Sequence, residues 1–219
     1  MTPLRTYRNR EEAGRALASE LERFRDADTV ILGLPRGGLP VARPVAESLH
    51  APLDVLLVRK LGVPGHEELA MGAIAEGGQR FLNDDVIAQL GIDEETIEQV
   101  TQREREELRR RAETYRGDAE PAPVQGRTAL LIDDGLATGA SMHAAVRAVK
   151  RREPRAVIVA VPVAAPQTVQ EMRDVAGVVV CPMTPSGFGG VGRWYDDFAQ
   201  VTDEDVTAIL SEAAQKVSR

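Results

Sequence analysis

Short apolar runs alternate along the chain with segments in which apolar residues recur at helical spacing. Runs that are rich in β-branched residues and bounded by turn residues are typical of buried strands. The predicted strands are 29–34, 53–58, 128–133, 156–163 and 177–181, with a further short strand within 72–78. The predicted helices are 10–25, 39–49, 141–151, 165–175 and 203–217. Because buried strands that alternate with helices form parallel sheets, the pattern predicts an α/β fold with a largely parallel sheet flanked by helices.

Three segments interrupt this alternation. Residues 59–71 lack periodicity and contain glycines and a proline, which predicts a long loop. Residues 83–117 are charge-rich and helical, and their apolar stripe is narrow, so we expect them to pack outside the sheet core. Residues 182–200 are irregular and aromatic. We therefore expect a single domain over 1–219 that carries a helical insertion at 83–117.

Composition and charge narrow the class of protein. The net charge of −7 at pH 7 argues against a nucleic-acid-binding surface. The single cysteine, Cys181, excludes an internal disulfide and a metal site built from cysteines. No secretory signal is visible, and the most apolar run, 156–165, is far shorter than the roughly 20 residues of a membrane-spanning helix. We therefore expect a cytoplasmic protein that binds neither nucleic acid nor a membrane.

The stretch "LLIDDGLATGAS" (130–141) carries the most specific chemistry. Asp133 and Asp134 end an apolar strand, and a loop with Gly135, Gly139 and two hydroxyl residues leads into a helix. Backbone N–H groups of such a loop bind an anion together with the helix N-terminus, without a lysine. The carboxylates accept hydrogen bonds from hydroxyls or hold Mg²⁺ through water. A sugar phosphate satisfies both halves of the motif.

One alternative is a polar strand end before a helix cap. Another is a nucleotide hydrolase strand, which needs an upstream GxxxxGK[ST] loop that this sequence does not contain.

The pattern resembles the phosphoribosyl-diphosphate (PRPP) signature of type I phosphoribosyltransferases. The stretch "GLPRGG" (33–38), at the end of the first strand, is similar to the pyrophosphate loop of that family. Arg36 matches an arginine of that loop, and the resemblance implies a non-proline cis peptide bond nearby. On chemistry alone, Gly37 and Gly38 let backbone N–H groups approach pyrophosphate closely. An ordinary strand–helix turn is the alternative.

Two further motifs resemble adenine-type members of this family. "VRKLGVPG" (58–65) is similar to their flexible catalytic loop, with one residue fewer. This implies that Arg59 and Lys60 neutralise pyrophosphate charge as the loop closes, whereas a solvated basic pair is the alternative. "AIAEGG" (73–78) is similar to the segment in which a glutamate faces the base, so Glu76 is a candidate acid/base residue unless it is a simple turn residue.

The sequence departs from the family pattern in informative ways. Ala137 stands where 6-oxopurine enzymes carry an aspartate, which argues against a hypoxanthine/guanine enzyme. Adenine-like, pyrimidine-like or unusual acceptors stay open. A variable hood recognises the base in this family, and the candidates here are 83–117 and 182–200. Phe188 or Trp194 would stack on a flat ring, or would plug the end of the sheet.

The resemblance implies a Mg²⁺-dependent homodimer that moves the 5-phosphoribosyl group of PRPP to a nitrogenous base and releases pyrophosphate. Asp133 and Asp134 would hold the ribose hydroxyls and the metal ion, and residues 36–38 would bind pyrophosphate. The ribose and 5-phosphate are expected to lie against Asp133, Asp134, Gly135, Ala137, Thr138, Gly139, Ala140 and Ser141. The alternative is a non-catalytic regulatory protein of the same fold that senses PRPP or a nucleotide.

Overall fold

The computed structural model describes residues 6–25, 28–117 and 119–217, which contain two sheets and seven α-helices. The strands are β1 (Thr29–Gly33), β2 (Leu53–Val55), β3 (Val58–Val63), β4 (His66–Ala75), β5 (Arg80–Leu82), β6 (Thr128–Ile132), β7 (Ala156–Ala160) and β8 (Val178–Val180). The helices are α1 (Arg10–Glu20), α2 (Gly38–Leu49), α3 (Asp84–Leu90), α4 (Glu94–Arg116), α5 (Ala140–Lys150), α6 (Pro166–Ala176) and α7 (Asp203–Val217). None of these helices is long and apolar enough to cross a bilayer.

The larger sheet has the strand order β2-β1-β6-β7-β8, and all of its neighbouring strands are parallel. Gly33 pairs with Ile132, and Ile132 pairs with Ala160, so the three central strands end level with one another. Ligands of open α/β sheets bind beyond the carboxyl ends of the strands. The predicted α/β fold with a largely parallel sheet is confirmed, and the loops after β1 and β6 leave the sheet side by side.

The core consists of one layer on each face of this sheet. On one face Leu32, Leu131 and Val159 pack with residues of α5 and α6. On the other face Ile31 and Leu130 pack with residues of α1 and α2. Both faces of the central strands are therefore buried, which explains why these strands are continuously apolar in the sequence.

The predicted loop at 59–71 is wrong, because β3 and β4 form an antiparallel hairpin and β5 adds a third strand to it. Leu61, Val63 and Met71 are buried in this second sheet. The register shifts after Leu61 and again after Gly62, as at a β-bulge. Such shifts interrupt the period-two pattern on which a strand prediction depends.

The apolar run at 53–58 belongs to two strands rather than to the single one predicted. β2 ends in the parallel sheet at Val55, and β3 begins in the antiparallel sheet at Val58. Leu56 and Leu57 between them stay buried. The run therefore remains apolar although the backbone passes from one sheet to the other.

The segment 83–117 is helical, as predicted, and forms α3 and α4. Asp93 caps α4 by accepting a hydrogen bond of 2.8 Å from the Thr96 N–H, and Gly117, with φ +58°, follows the last helical residue, Arg116. α4 contacts β3, β4 and α7, so it packs outside the parallel sheet. Its buried apolar stripe is Ile97, Val100, Leu108 and Tyr115.

Candidate functional site

Two loops meet at the carboxyl ends of β1 and β6. A methyl group built on Gly37 would lie 2.1 Å from Asp134 Oδ2, and one built on Gly38 would lie 2.6 Å from the Ile132 carbonyl oxygen. Only glycine allows so close an approach. The Pro35–Arg36 peptide bond is cis, as the resemblance implied. The structure thus brings the predicted acid pair and the predicted glycine loop together.

The acid pair is electrostatically unusual. Desolvation raises the pKa of Asp133 well above its ordinary value, and the neighbouring negative charge of Asp134 raises it further. Desolvation also raises the pKa of Asp134, although the adjacent Arg10 guanidinium opposes this effect. The Asp134 N–H donates to Asp133 Oδ1 at 2.8 Å. Two acids held in this way suit a ligand that brings hydroxyl donors or a cation.

Arg10 contacts the acid pair directly, and sequence reasoning missed it. Its Nε donates to Asp134 Oδ2 at 2.9 Å, and its Nη1 donates to the Ala199 carbonyl oxygen at 2.8 Å. In addition, the Tyr195 hydroxyl donates to the Asp134 carbonyl oxygen at 2.6 Å. No sequence signal connects these residues to the acid pair, because Arg10 and Tyr195 both lie more than 60 positions away from it along the chain.

The turn between β6 and α5 is well supported and open to solvent where a ligand would reach it. Thr168 Oγ1 donates to the Ala137 carbonyl oxygen at 2.6 Å, and Gly139 has φ +72°, which favours glycine. The side chains of Thr138 and Ser141 are exposed. Because α5 begins directly after this turn, its first N–H groups and its dipole are directed at the same place.

Arg36 lies near residues of α7 and α4. Its Nη1 lies 3.9 Å from Asp203 Oδ1, and that same oxygen accepts a hydrogen bond of 2.5 Å from the Tyr115 hydroxyl. The pKa of Tyr115 is raised to about 12, mainly by desolvation and by this hydrogen bond. α4 therefore contributes Tyr115 to the surroundings of the glycine loop.

The basic pair predicted in the hairpin divides between two faces. Arg59 Nε bonds Glu104 Oε2 of α4 at 2.7 Å, and the Glu104 side chain is only 10% exposed. Side chains alternate along a strand, so Lys60 lies on the opposite face, which it shares with its cross-strand partner Ala73. Ala73 lines a cleft of about 480 Å³ together with Ala140, the first residue of α5. Lys60 therefore lies on the strand face that carries Ala73, whereas Arg59 contacts α4.

Glu76 is engaged in a cluster of charged side chains. Its two carboxylate oxygens accept hydrogen bonds of 2.5 and 2.7 Å from Arg116 Nη1, and Arg116 Nε also bonds Asp54 of β2 at 2.8 Å. The Arg116 side chain is only 7% exposed. The structure groups Glu76 with Arg116 and Asp54, and among the described contacts none joins Glu76 to the acid pair.

The two aromatic stacking candidates belong to a small core. Trp194 is 5% exposed, its Nε1 donates to the Phe188 carbonyl oxygen at 2.9 Å, and it clusters with Tyr7 and Val163. Phe188 is partly buried against the same cluster. Trp194 is therefore a core residue of this cluster, and Phe188 packs partly against it. Phe198 is the more exposed aromatic residue of the segment, at 37%.

These features define a class of protein: a parallel α/β sheet whose strand ends present an acid pair, a glycine loop and a solvent-exposed turn that leads into a helix. The family model of the phosphoribosyl transferase domain matches residues 4–192, and the chain belongs to this family. The resemblance to type I phosphoribosyltransferases is thereby confirmed at the level of the family.

Known relatives agree with this assignment. The chain is 44% identical over 210 residues to a Mycobacterium tuberculosis (strain H37Rv) protein named "Putative phosphoribosyl transferase Rv0571c", and the match covers 96% of this chain and 47% of that protein. The chain thus spans about half the length of this curated relative. It is 46% identical to TT1426 of Thermus thermophilus, with a TM-score of 0.83 over 94% of this chain and 98% of that one. AQ2163 of Aquifex aeolicus, at 14% identity and a TM-score of 0.50, covers 92% of this chain and 84% of its own, and shows the fold alone.

Proposed function

We propose that the protein transfers the 5-phosphoribosyl group of PRPP to a nitrogenous base and releases pyrophosphate. One observation carries this proposal: the glycine loop lies directly against the acid pair that precedes the anion-binding turn of α5. A single site therefore offers donors for phosphates at its two ends and acceptors for hydroxyls between them. PRPP presents a monophosphate, ribose hydroxyls and a diphosphate in that same order.

In the proposed reaction the bond between ribose C1 and pyrophosphate breaks, and pyrophosphate leaves with the electron pair. A base nitrogen then bonds C1, and its proton passes to solvent water or to the departing pyrophosphate. A transition state with oxocarbenium character needs orientation and charge stabilisation more than covalent chemistry. Residues 138–141 hold the 5-phosphate, Asp133 and Asp134 hold the ribose hydroxyls, and residues 36–38 hold pyrophosphate. Lys60 approaches the leaving group from the hairpin.

The site suits Mg²⁺ that arrives with the ligand. Mg²⁺ prefers oxygen ligands, keeps several waters, and is usually bound through one or two carboxylates together with substrate phosphates. Within the described residues, no group of three or more His, Cys, Asp or Glu side chains forms a metal cage, and such an ion needs none. Asp133 and Asp134 would hold the ion through water or ligand hydroxyls, and it would neutralise charge on the leaving pyrophosphate.

We propose an acceptor other than a 6-oxopurine. The methyl side chain of Ala137 cannot take up a proton from the base, and the Ala137 carbonyl oxygen already accepts the Thr168 hydroxyl. We further propose that 182–200 forms the hood, with Phe198 as its most accessible ring. Glu76 carries no proton-transfer role in this proposal because Arg116 occupies both of its oxygens.

A non-catalytic PRPP-binding regulator is the second candidate. The ion pairs of Arg59 with Glu104 and of Glu76 with Arg116 favour it, because they divert two charged groups that a catalyst of the adenine type would use. The position of Lys60 on the strand face opposite to Arg59, which it shares with the cleft-lining residue Ala73, favours catalysis.

Pyrophosphate release tests these two candidates. The purified protein is incubated with PRPP, Mg²⁺ and a panel of purine and pyrimidine bases, and PRPP binding is measured by calorimetry in parallel. The transferase proposal predicts release that depends on one of the bases. Binding of PRPP without base-dependent release would support the regulator, and the absence of PRPP binding would contradict both.

We also propose that the protein is a cytoplasmic homodimer, as the resemblance implies. Sedimentation equilibrium of the purified chain and fractionation of the source cells test these two properties separately.

A further inference from the structure

Arg10 is a nearly buried cation that touches both loops of the site. Its ion pair with Asp134 joins side chains that are only 11% and 15% exposed. A methyl group built on Gly37 would lie 3.4 Å from Arg10 Nε. The guanidinium therefore lies between the second acid and the loop proposed to bind pyrophosphate.

Several elements impose this position. The Arg10 Cζ lies 3.8 Å from the ring centroid of Phe198, and Nη1 bonds the Ala199 carbonyl oxygen. The segment before α1 is itself fastened to 194–196. The Tyr7 N–H donates to the Trp194 carbonyl oxygen at 2.9 Å, and the Asp196 N–H donates to the Tyr7 carbonyl oxygen at 2.8 Å. A preorganised guanidinium of this kind loses little entropy when it binds a ligand.

The charge of the site requires such a group. Asp133 and Asp134 would stand next to a ligand that carries several negative charges, and like charges repel. Arg10 offsets the charge of Asp134 in place. A guanidinium has five N–H donors, and within the described residues its hydrogen bonds use Nε and one Nη1 position. Donors therefore remain for phosphate oxygens, which suit the planar fork of arginine.

We propose that Arg10 is a further residue of the PRPP site, where it binds pyrophosphate oxygens and offsets the charge of Asp134. This inference rests on the proposed function. It assigns a binding role to the start of α1, which the sequence motifs did not include.

Binding by two ligands tests this role. Calorimetry in Mg²⁺ compares PRPP with ribose 5-phosphate, which lacks the pyrophosphate, for Arg10→Gln, Arg10→Lys and the unchanged protein. Arg8→Gln is the matched control, since Arg8 lies in the same segment but is exposed and pairs with Glu12. We expect Arg10→Gln to weaken PRPP binding about 10–100-fold, as for loss of a hydrogen bond to a charged group. Arg10→Lys should recover part of this loss, ribose 5-phosphate should change much less, and the control should bind as the unchanged protein does.

A purely structural role would give a different result. If Arg10 only fastens the start of α1 to 194–199, both ligands would weaken equally, and that outcome would overturn the inference. Unchanged PRPP affinity of a folded Arg10→Gln variant would overturn it as well. Failure of the unchanged protein to bind PRPP would instead contradict the proposed function, so the two failures are distinguishable.

Discussion

Adding one methyl group at Gly37 tests directly whether the two loops form one site. The alanine Cβ would lie 2.1 Å from Asp134 Oδ2, whereas ordinary van der Waals contact begins at about 3.4 Å. Asp134 cannot simply move away, because Arg10 holds its carboxylate and the Tyr195 hydroxyl holds its carbonyl oxygen. The φ of Gly37 is −62°, which alanine adopts freely, so the clash and not backbone strain determines the outcome.

Two opposing contributions change the free energy of unfolding of this variant. Overpacking a tight contact costs about 1–3 kcal/mol, whereas replacing glycine by alanine at a compatible φ stabilises by about 0.4–1 kcal/mol through the unfolded chain. The clash therefore prevails, and for a chain of this size each kcal/mol lowers the Tm by about 2–4 °C. Misplacing a binding group by about 1 Å can cost roughly 100-fold. The net cost is then at most about 2.6 kcal/mol, so we expect Gly37→Ala to lower the Tm by up to about 10 °C and to weaken PRPP binding by about 10–100-fold.

Calorimetric titration and thermal unfolding of the same preparations measure both effects. Gly126→Ala is the control, because Gly126 has φ +73° and open space around it, so alanine there strains the backbone without touching the site. This control should lower the Tm while PRPP affinity stays unchanged. A Gly37→Ala protein with unchanged PRPP affinity would refute the reasoning that the glycine loop and the acid pair form a single ligand site.

The remaining predictions concern the hairpin, the acids and the cysteine. Lys60→Ala should lower kcat and kcat/KM together by about 10²–10³-fold. Arg59→Ala should instead mainly lower stability, by about 1–3 kcal/mol, because the largely buried Glu104 loses one hydrogen-bond donor and keeps its ion pair with Arg103. Steady-state kinetics and urea unfolding of both variants separate these effects, and equal kinetic losses would contradict the division of the pair. Asp133→Asn combined with Asp134→Asn should weaken PRPP–Mg²⁺ binding by at least about 100-fold, because hydrogen bonds to charged acceptors are lost. The circular dichroism spectrum should stay native. Unchanged PRPP affinity would show that the two acids do not bind the ligand. Desolvation raises the pKa of the Cys181 thiol to about 11 from 9.0. At pH 8 the folded protein should therefore hold about 100-fold less thiolate than the unfolded protein. Alkylation, measured by mass spectrometry, should be correspondingly slower without urea than in urea, and equal rates would show that the thiol is not desolvated.

The β3–β4 hairpin shows what a local sequence pattern can and cannot predict. Arg59 and Lys60 are adjacent in the sequence and suggested one cationic pair, but neighbours in a strand point to opposite faces. Whether 59–71 is a loop or a strand therefore decides which residues can act together. The register shifts after Leu61 interrupt the alternation of side chains between the two faces, so periodicity could not identify this segment as a strand.

Sequence alone determined the α/β class, the acid pair at a strand end and the two glycine loops. Each of these depends on residues close together in the chain: a buried strand, the turn that follows it and the helix that begins there. The contact between Arg10 and Asp134 and the pairing of Glu76 with Arg116 join residues far apart in the chain. Only the tertiary structure decided them, because the parallel sheet brings strand ends and terminal segments together by packing, and no local propensity encodes which distant charge will lie beside a given acid.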